Sequence, residues 1–293
     1  MAAHAQIPDR PDLVAVAAPG AGDLRAELER DGVLIVDVEP FAVSPDERVL
    51  IDRLLGDGAK NCTFNPTTGQ LGHIVGAPES LEPLRALMAR FSDWSRQRIA
   101  DCFPGYLAHL DAGRTSLRRR SVADEPPISA RKDDRRLHVD AFTSQPVAGQ
   151  RILRVFSNID ASGGTRDWAI ADGGFERYAN HFRGRARRLL PGEAAILEGL
   201  SLTKSRRTDY DQIMLGMHDA AKRDGHYQAT APRQLVSFPA GATWFAFTDQ
   251  APHAALAGQC ALEQTFYLPV DALADPTASP LRVLERLWGK TLV

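Results

Sequence analysis

What this 293-residue chain lacks narrows its function early. Cysteine is scarce: Cys62, Cys102 and Cys260 are odd in number, far apart, and form no C-x-x-C pair. That argues against a disulfide framework or a zinc knuckle and for a reducing compartment. No apolar run approaches the length of a transmembrane helix. The run Leu13 to Ala18 is short and follows no basic segment, so it does not read as a secretory signal. No sign of charge dominates either: 35 Lys and Arg against 37 Asp and Glu leave a net charge of -2, which offers no global attraction to nucleic acid. There is no G-x-G-x-x-G, Walker loop, G-x-S-x-G elbow or H-E-x-x-H, so the signatures of dinucleotide, phosphate-loop, serine-hydrolase and zincin chemistry are missing. Internal repeats and low-complexity tracts are absent as well.

What is present is an ordinary globular composition, 44% hydrophobic and 25% charged, with enough chain for a sizeable core. Arginine is unevenly spread, clustering at Arg118–Arg120, Arg135–Arg136, Arg183 to Arg188 and Arg206–Arg207. Its planar fork suits carboxylates and phosphates, so anionic small molecules or lipid headgroups are expected partners, although most such arginines taken singly are solvated. The pattern predicts a strand in 31–41, a hairpin over 61–76 around Asn65-Pro66-Thr67-Thr68-Gly69, and a helix over 80–101 with Leu84, Leu87, Met88, Phe91 and Trp94 on one face. Short strands are expected in 113–159, then helices over 172–182, 190–200 and 208–227, then strands over 233–256, with Gly241 in a turn, and over 260–270. A short helix closes the chain at 279–289. Strands before and after a helical insertion imply an α+β fold around a jelly-roll core. The expected layout is a loose tail over 1–22 and a single domain over 23–293, in a cytoplasmic protein with no obligate protein partner.

The chemistry concentrates at "LHVDAF". On an extended segment residues i and i+2 point to one face, so His138 and Asp140 can aim at one point. A neutral imidazole and a carboxylate suit Fe(II), and a second histidine would complete the facial triad of non-haem oxygenases. His253 in "TDQAPHAAL" is the natural third ligand, because it follows one predicted strand and precedes another. His218 falls on the helix "MLGMHDAAK", where a polar-face role is expected. A triad of this kind leaves positions for 2-oxoglutarate and O2, and the far carboxylate of 2-oxoglutarate needs a cation. Arg154 in "RILRVFSNI" is the first choice, sharing a strand face with Phe156 and Asn158. A buried arginine is costly unless an anion meets it; the alternative is an edge-strand arginine reaching solvent.

The blocks "RKDDRRLHVDAFTSQPVAGQRILRVFSNID", "YDQIMLGMHDAAK" and "FPAGATWFAFTDQAPHAALAGQCALEQTFYLPVDAL" together resemble the Kdo 3-hydroxylase family, over roughly residues 30–285. The resemblance implies an Fe(II)- and 2-oxoglutarate-dependent dioxygenase on a double-stranded β-helix (a cupin-like jelly roll). It implies as substrate 3-deoxy-D-manno-oct-2-ulosonic acid (Kdo) on a lipid A precursor of lipopolysaccharide, hydroxylated at C3 to Ko. It carries the metal ligands over to His138, Asp140 and His253. Many related oxygenases place the 2-oxoglutarate arginine about ten residues after the distal histidine; here "GQCALEQTFYL" has Gln264 in that neighbourhood and no arginine, which moves the charge to Arg154. Arg118 and Arg166 are candidates for the substrate's carboxylate and phosphates. Peripheral contact with the cytoplasmic face of the inner membrane is expected through the basic clusters. Two alternatives stay open: a 2-oxoglutarate dioxygenase acting on a protein or another small molecule, and a non-catalytic jelly roll that binds anionic glycans.

Overall fold

The short apolar run Val33-Leu34-Ile35-Val36 is buried along its whole length, as a strand covered on both faces must be. In the computed structural model, which describes residues 16–18, 20, 22–56, 61–73, 81–118, 121–122 and 129–293, this run is β2 (Val33–Val36). It follows β1 (Val16–Ala17) and α1 (Leu24–Asp31) and precedes α2 (Pro45–Gly56). The expected hairpin is β3 (Asn61–Phe64) and β4 (Leu71–Gly72), and the expected helix is α3 (Leu81–Cys102). Three strands follow: β5 (Asp111–Arg118), β6 (Arg151–Asn158) and β7 (Arg166–Ala171). Then come α4 (Gly174–Phe182), α5 (Glu193–Gly199), α6 (Asp209–Arg223) and α7 (Gly225–Thr230). The chain ends with β8 (Arg233–Phe238), β9 (Thr243–Phe247), β10 (His253–Ala257), β11 (Ala261–Leu268) and α8 (Pro280–Trp288).

Eight strands form one sheet in the order β1-β2-β9-β6-β11-β5-β3-β4, and three form a second in the order β10-β7-β8. Every pairing is antiparallel except β1 with β2. The two sheets face each other as a jelly roll. Register decides which residues look inward. Arg154 lies opposite Thr265 and Ala246, and Phe156 opposite Glu263 and Trp244, so these share the face turned to the small sheet. Their neighbours Leu153, Val155, Phe245, Phe247 and Phe266 take the other face and pack with Leu24 and Leu28 of α1 and Ile99 and Cys102 of α3. Between the sheets Trp244 is sandwiched by Phe156 and Phe238, with ring centroids at 5.0 and 4.0 Å. Trp168 of β7 meets Trp244 and Phe156 edge-on. Helix α6 starts from a capping box between Thr208 and Asp211. It buries Ile213, Met214 and Met217 against α4 and α8. Helices α4 to α7 all fall between β7 and β8, and so between the two histidine-bearing motifs in sequence.

One expectation needs correction. "HVDAF" is no strand: its only ladder contact is a single bridge from His138 to His253. Neighbouring Leu137 is occupied by a side chain instead, donating its N–H to Gln228 and accepting from it in return. The loose tail expected over 1–22 includes Val16–Ala17, which form β1 against β2; residues 1–15, 19 and 21 lie outside the described residues. Arg119 and Arg120 lie outside them too. Among the described residues, no helix is long and apolar enough to cross a membrane.

Trp244 is wholly buried, so Trp244→Ala is expected to remove about 3–5 kcal/mol of stability. Half-exposed Val49 on α2 should tolerate Val49→Ala within about 0.5 kcal/mol. Urea denaturation monitored by far-UV circular dichroism distinguishes the two.

Candidate metal centre

The bridge that replaces a strand at "LHVDAF" is what builds the site. The His138 N–H donates to the His253 carbonyl at 3.0 Å, and the His253 N–H returns the bond at 2.8 Å. Two residues on, the Asp140 N–H donates to the Thr248 carbonyl at 2.7 Å, in the turn after β9. These main-chain bonds hold His138, Asp140 and His253 so that one ligand atom from each lies within 4.8 Å of the others. The other side of β10 is closed by β7, where Ile170 pairs with His253.

Each histidine is fixed in one tautomer by the same device. His138 Nδ1 lies 2.7 Å from the Arg136 carbonyl, and His253 Nδ1 2.9 Å from the Ala251 carbonyl. A carbonyl can only accept, so both Nδ1 atoms carry the proton and both Nε2 atoms keep a lone pair for a metal. Trp168 stacks on the His253 ring at 4.9 Å and holds its plane. Burial pushes the His138 imidazole well below its ordinary value, reinforced by His253 and Lys222; burial likewise lowers His253. Both are therefore neutral at physiological pH, as metal ligands must be. Asp140 goes the other way. Burial would raise it, but the Arg154 guanidinium beside it outweighs burial and holds it below the usual carboxylate range. One of its oxygens sits 3.7 Å from His138 Nε2 and the other 2.7 Å from Arg154 Nη2. Two neutral imidazoles and one ionised carboxylate on a buried face are the donor set of a facial triad, and the residues fit Fe(II).

Arg154 is not the edge-strand arginine of the solvent-facing alternative, because β6 lies between β9 and β11. It bonds to Asp140 and to Glu263. Glu263 also accepts from Arg118 Nε at 2.6 Å. A ladder results in which two arginines alternate with two carboxylates along the inner face. Burial would raise Glu263, but Arg118 and Arg154 together hold it below its ordinary value. Glu263, not Gln264, faces the interior ten residues after His253. Gln264 points outward and accepts from the Thr115 hydroxyl at 2.5 Å. Glu263 went unnoticed in the sequence; its signal was a lone acid in the otherwise apolar strand "CALEQTFYL".

Arg118 is brought to the site, but as a partner of Glu263 rather than as a free surface cation. Arg166 is almost wholly buried, two residues from Trp168 on β7, and donates to the Gln259 carbonyl at 3.2 Å. Gly258 permits this arrangement: at φ +97° it passes so close to Arg166 that a Cβ would lie 2.7 Å from the Arg166 Cα. The expectation that His218 serves a polar helix face also needs revision. Its ring meets His138 edge-on at 5.2 Å, and its Nδ1 lies 3.0 Å from Asp219. The amphipathic pattern of α6 could not reveal this, since the neighbour comes from a loop eighty residues earlier.

A family model described as "3-deoxy-D-manno-oct-2-ulosonic acid (Kdo) hydroxylase" matches residues 15–291. Three solved structures are similar over nearly the whole chain, all of the Kdo hydroxylase KdoO, described as a non-heme Fe(II) alphaketoglutarate dependent dioxygenase. The complex with alphaketoglutarate and Fe(III) is 39% identical, with a TM-score of 0.86, covering 92% of this chain and 90% of that one. The cobalt(II) complex is 40% identical at a TM-score of 0.87, with the same coverage. The apo structure is 38% identical at a TM-score of 0.87 and covers 95% of both chains. No curated protein matches significantly.

Glu263→Ala leaves two arginines facing each other across a buried gap and is expected to cost about 3–5 kcal/mol of stability, measured by urea denaturation. The pH dependence has a definite sign. The unfolded chain takes up protons at its imidazoles near pH 6.5, while native His138 and His253 resist protonation. The metal-free protein should therefore lose stability as pH falls through about 6.5, and more as it passes 4 and the carboxylates protonate. In His138→Asn the fall between pH 7 and 5 should be shallower, as followed by denaturation midpoints across that range.

Proposed function

The chain belongs to the Kdo hydroxylase family, and from that membership we propose the chemistry of its site in detail. It is an Fe(II)- and 2-oxoglutarate-dependent dioxygenase that hydroxylates Kdo. The observation that carries this reading is the cluster of His138, Asp140 and His253, with both histidines buried, found in a chain 39% identical to a solved Kdo hydroxylase over 92% of its length. The proposed position of attack is C3 of Kdo on a lipid A precursor, giving Ko, at the cytoplasmic face of the inner membrane. Family membership removes the alternative of a non-catalytic glycan binder. Helices α4 to α7 read as an insertion into the jelly roll between the metal motifs.

His138, Asp140 and His253 would hold Fe(II) through two Nε2 atoms and a carboxylate oxygen. Bound there with 2-oxoglutarate and O2, iron supplies the oxidising power to replace a C–H hydrogen by hydroxyl, with release of succinate and carbon dioxide. The rest is positioning by the chain. Arg154 keeps the second oxygen of Asp140 engaged, which fixes the direction of the first. Arg118 and Arg154 are matched in charge by Glu263 and Asp140. A dication and a dianionic cosubstrate therefore enter without leaving a net buried charge. Arg154 is the proposed anchor for the far carboxylate of 2-oxoglutarate, and Arg118 and Arg166 are the proposed contacts for the substrate's carboxylate and phosphates. The Trp168, Trp244 and Phe156 layer lines one side of the interior and keeps water from it. Tyr267, bonded to Gln145 at 3.0 Å, and Phe142, whose ring lies under Arg154 at 5.9 Å, border the approach from the loop after Asp140.

Incubation in air with Fe(II), 2-oxoglutarate and Kdo-bearing lipid A is expected to form succinate and to add one oxygen atom to Kdo, read by mass spectrometry. Succinate without that gain moves the substrate elsewhere, to a protein or another small molecule. His138→Ala and Asp140→Ala should abolish both products, and retained activity in either removes the iron assignment. Arg154→Ala is expected to lower kcat/KM for 2-oxoglutarate roughly 30-fold or more. Arg154→Lys, which keeps charge without the fork, should fall between it and the native enzyme.

A further inference from the structure

Only six large hydrophobic side chains are strongly exposed among the described residues, and four of them fall within thirteen positions: Leu190, Ile196, Leu200 and Leu202. They cluster on and around α5, a segment the catalytic reading does not use. Ile196 and Leu200, four apart, share one helical face, and the Leu200 N–H closes onto the Ile196 carbonyl at 3.0 Å. The Leu202 N–H turns back to the Leu197 carbonyl at 2.9 Å, bringing its side chain into the same lobe. Cations flank this apolar segment in the chain. Residues 183–206 hold Arg183, Arg185, Arg187, Arg188, Lys204 and Arg206 against Glu193 and Glu198; six cations against two acids leave +4 in a chain whose total is -2. All six cations are exposed. Arg187 pairs with Glu193 and Arg185 with Asp224. Arg183, Lys204 and Arg206 enter no ion pair among the described residues.

The lobe is also stitched to the rim of the catalytic site. The Lys204 N–H donates to the Ser144 carbonyl at 2.9 Å, and the Arg207 guanidinium donates to the Thr143 carbonyl. Ser144 and Thr143 belong to the loop that follows Asp140 and carries Phe142 and Gln145 over Arg154 and Tyr267. An apolar tip with the unpaired cations Lys204 and Arg206 just after it in the chain, fixed beside the mouth of a site, has the chemistry of an interfacial lipid contact: side chains enter the acyl boundary while guanidinium and ammonium groups meet negative headgroups. A protein-protein face of this size would be depleted in lysine and uncompensated charge.

We infer that the lobe formed by residues 187–206 docks this enzyme onto the surface of an anionic bilayer, with Ile196, Leu200 and Leu202 inserted and Lys204 and Arg206 on the headgroups. The inference rests on the reading that the sugar substrate is held in a membrane by its lipid, and it presents the Asp140 loop to that surface.

The full-length protein is mixed with phosphatidylcholine vesicles, with or without about one-third phosphatidylglycerol, and bound fraction is measured by flotation. Binding is expected only to the anionic vesicles, and it should weaken as salt is raised. The combined Ile196→Ser, Leu200→Ser and Leu202→Ser variant, and separately the Lys204→Ser and Arg206→Ser variant, should each bind about tenfold more weakly. Both should keep native turnover of a water-soluble, deacylated Kdo oligosaccharide, which shows that the site is intact, and lose turnover of acylated substrate in vesicles. Undiminished vesicle binding by both variants overturns the inference. So does a native dimer, seen by sedimentation velocity, that the serine variant converts to monomer, because the lobe is then an interface between two copies of the chain. If the native protein hydroxylates neither substrate, the catalytic reading fails while the flotation result still decides the docking surface.

Discussion

The reciprocal main-chain pair between His138 and His253 is the constraint on which the site depends. Two residues 115 positions apart exchange N–H and carbonyl bonds at 3.0 and 2.8 Å. Because the isolated bridge falls at the histidines themselves, their side chains emerge side by side, with ring centroids 4.9 Å apart. Asp140 follows from the i, i+2 geometry of the same extended segment and from its bond to the Thr248 carbonyl. A slip of one residue at this bridge would turn His138 and Asp140 away from His253 together. That is why the segment is pinned further by Gln228 on Leu137, and by the Ala255 N–H on the Asp134 carbonyl.

Around the bridge, charge is arranged to hold a carboxylate ionised and two imidazoles neutral within the same buried volume. The carbonyls of Arg136 and Ala251 set the tautomers, Trp168 sets a ring plane, and the alternation of Asp140, Arg154, Glu263 and Arg118 supplies compensation where solvent cannot. The same low dielectric that penalises an isolated charge makes this ladder rigid, since displacing any one member leaves its neighbours without a partner. The large sheet provides the register for the ladder, and its opposite face packs on α1 and α3, away from the site.

Much of this was legible in the residues. The H-x-D spacing, the distal histidine between two strands and Arg154 on the Phe156 face of its strand all follow from period-two geometry and ligand chemistry, and the elements lie close to where hydrophobic pattern placed them. "HVDAF" was misread as a strand because its composition is extended, while its pairing partner is decided by a side chain of α7 and a turn after β9. Glu263 was passed over because an acid in an apolar strand gives no sign of which two cations will flank it. His218 was assigned to a polar face because helical periodicity tells which residues share a side, and not which loop will cover it. The pattern predicts the lobe around α5 as a helix over 190–200 between two arginine clusters; that four apolar side chains remain uncovered there depends on what the other helices leave exposed.

The sequence by itself therefore determined the donor types, the strand faces and the likeness to a family of iron oxygenases, since these depend on residue identity and on spacing within one element. Tertiary structure alone decided which distant groups meet. It tied Arg154 and Arg118 through Glu263, buried Arg166 on β7, set His218 against His138 and left the α5 lobe bare beside the Asp140 loop. Those relations are fixed by sheet register and by contacts between elements far apart in the chain, which no local periodicity encodes.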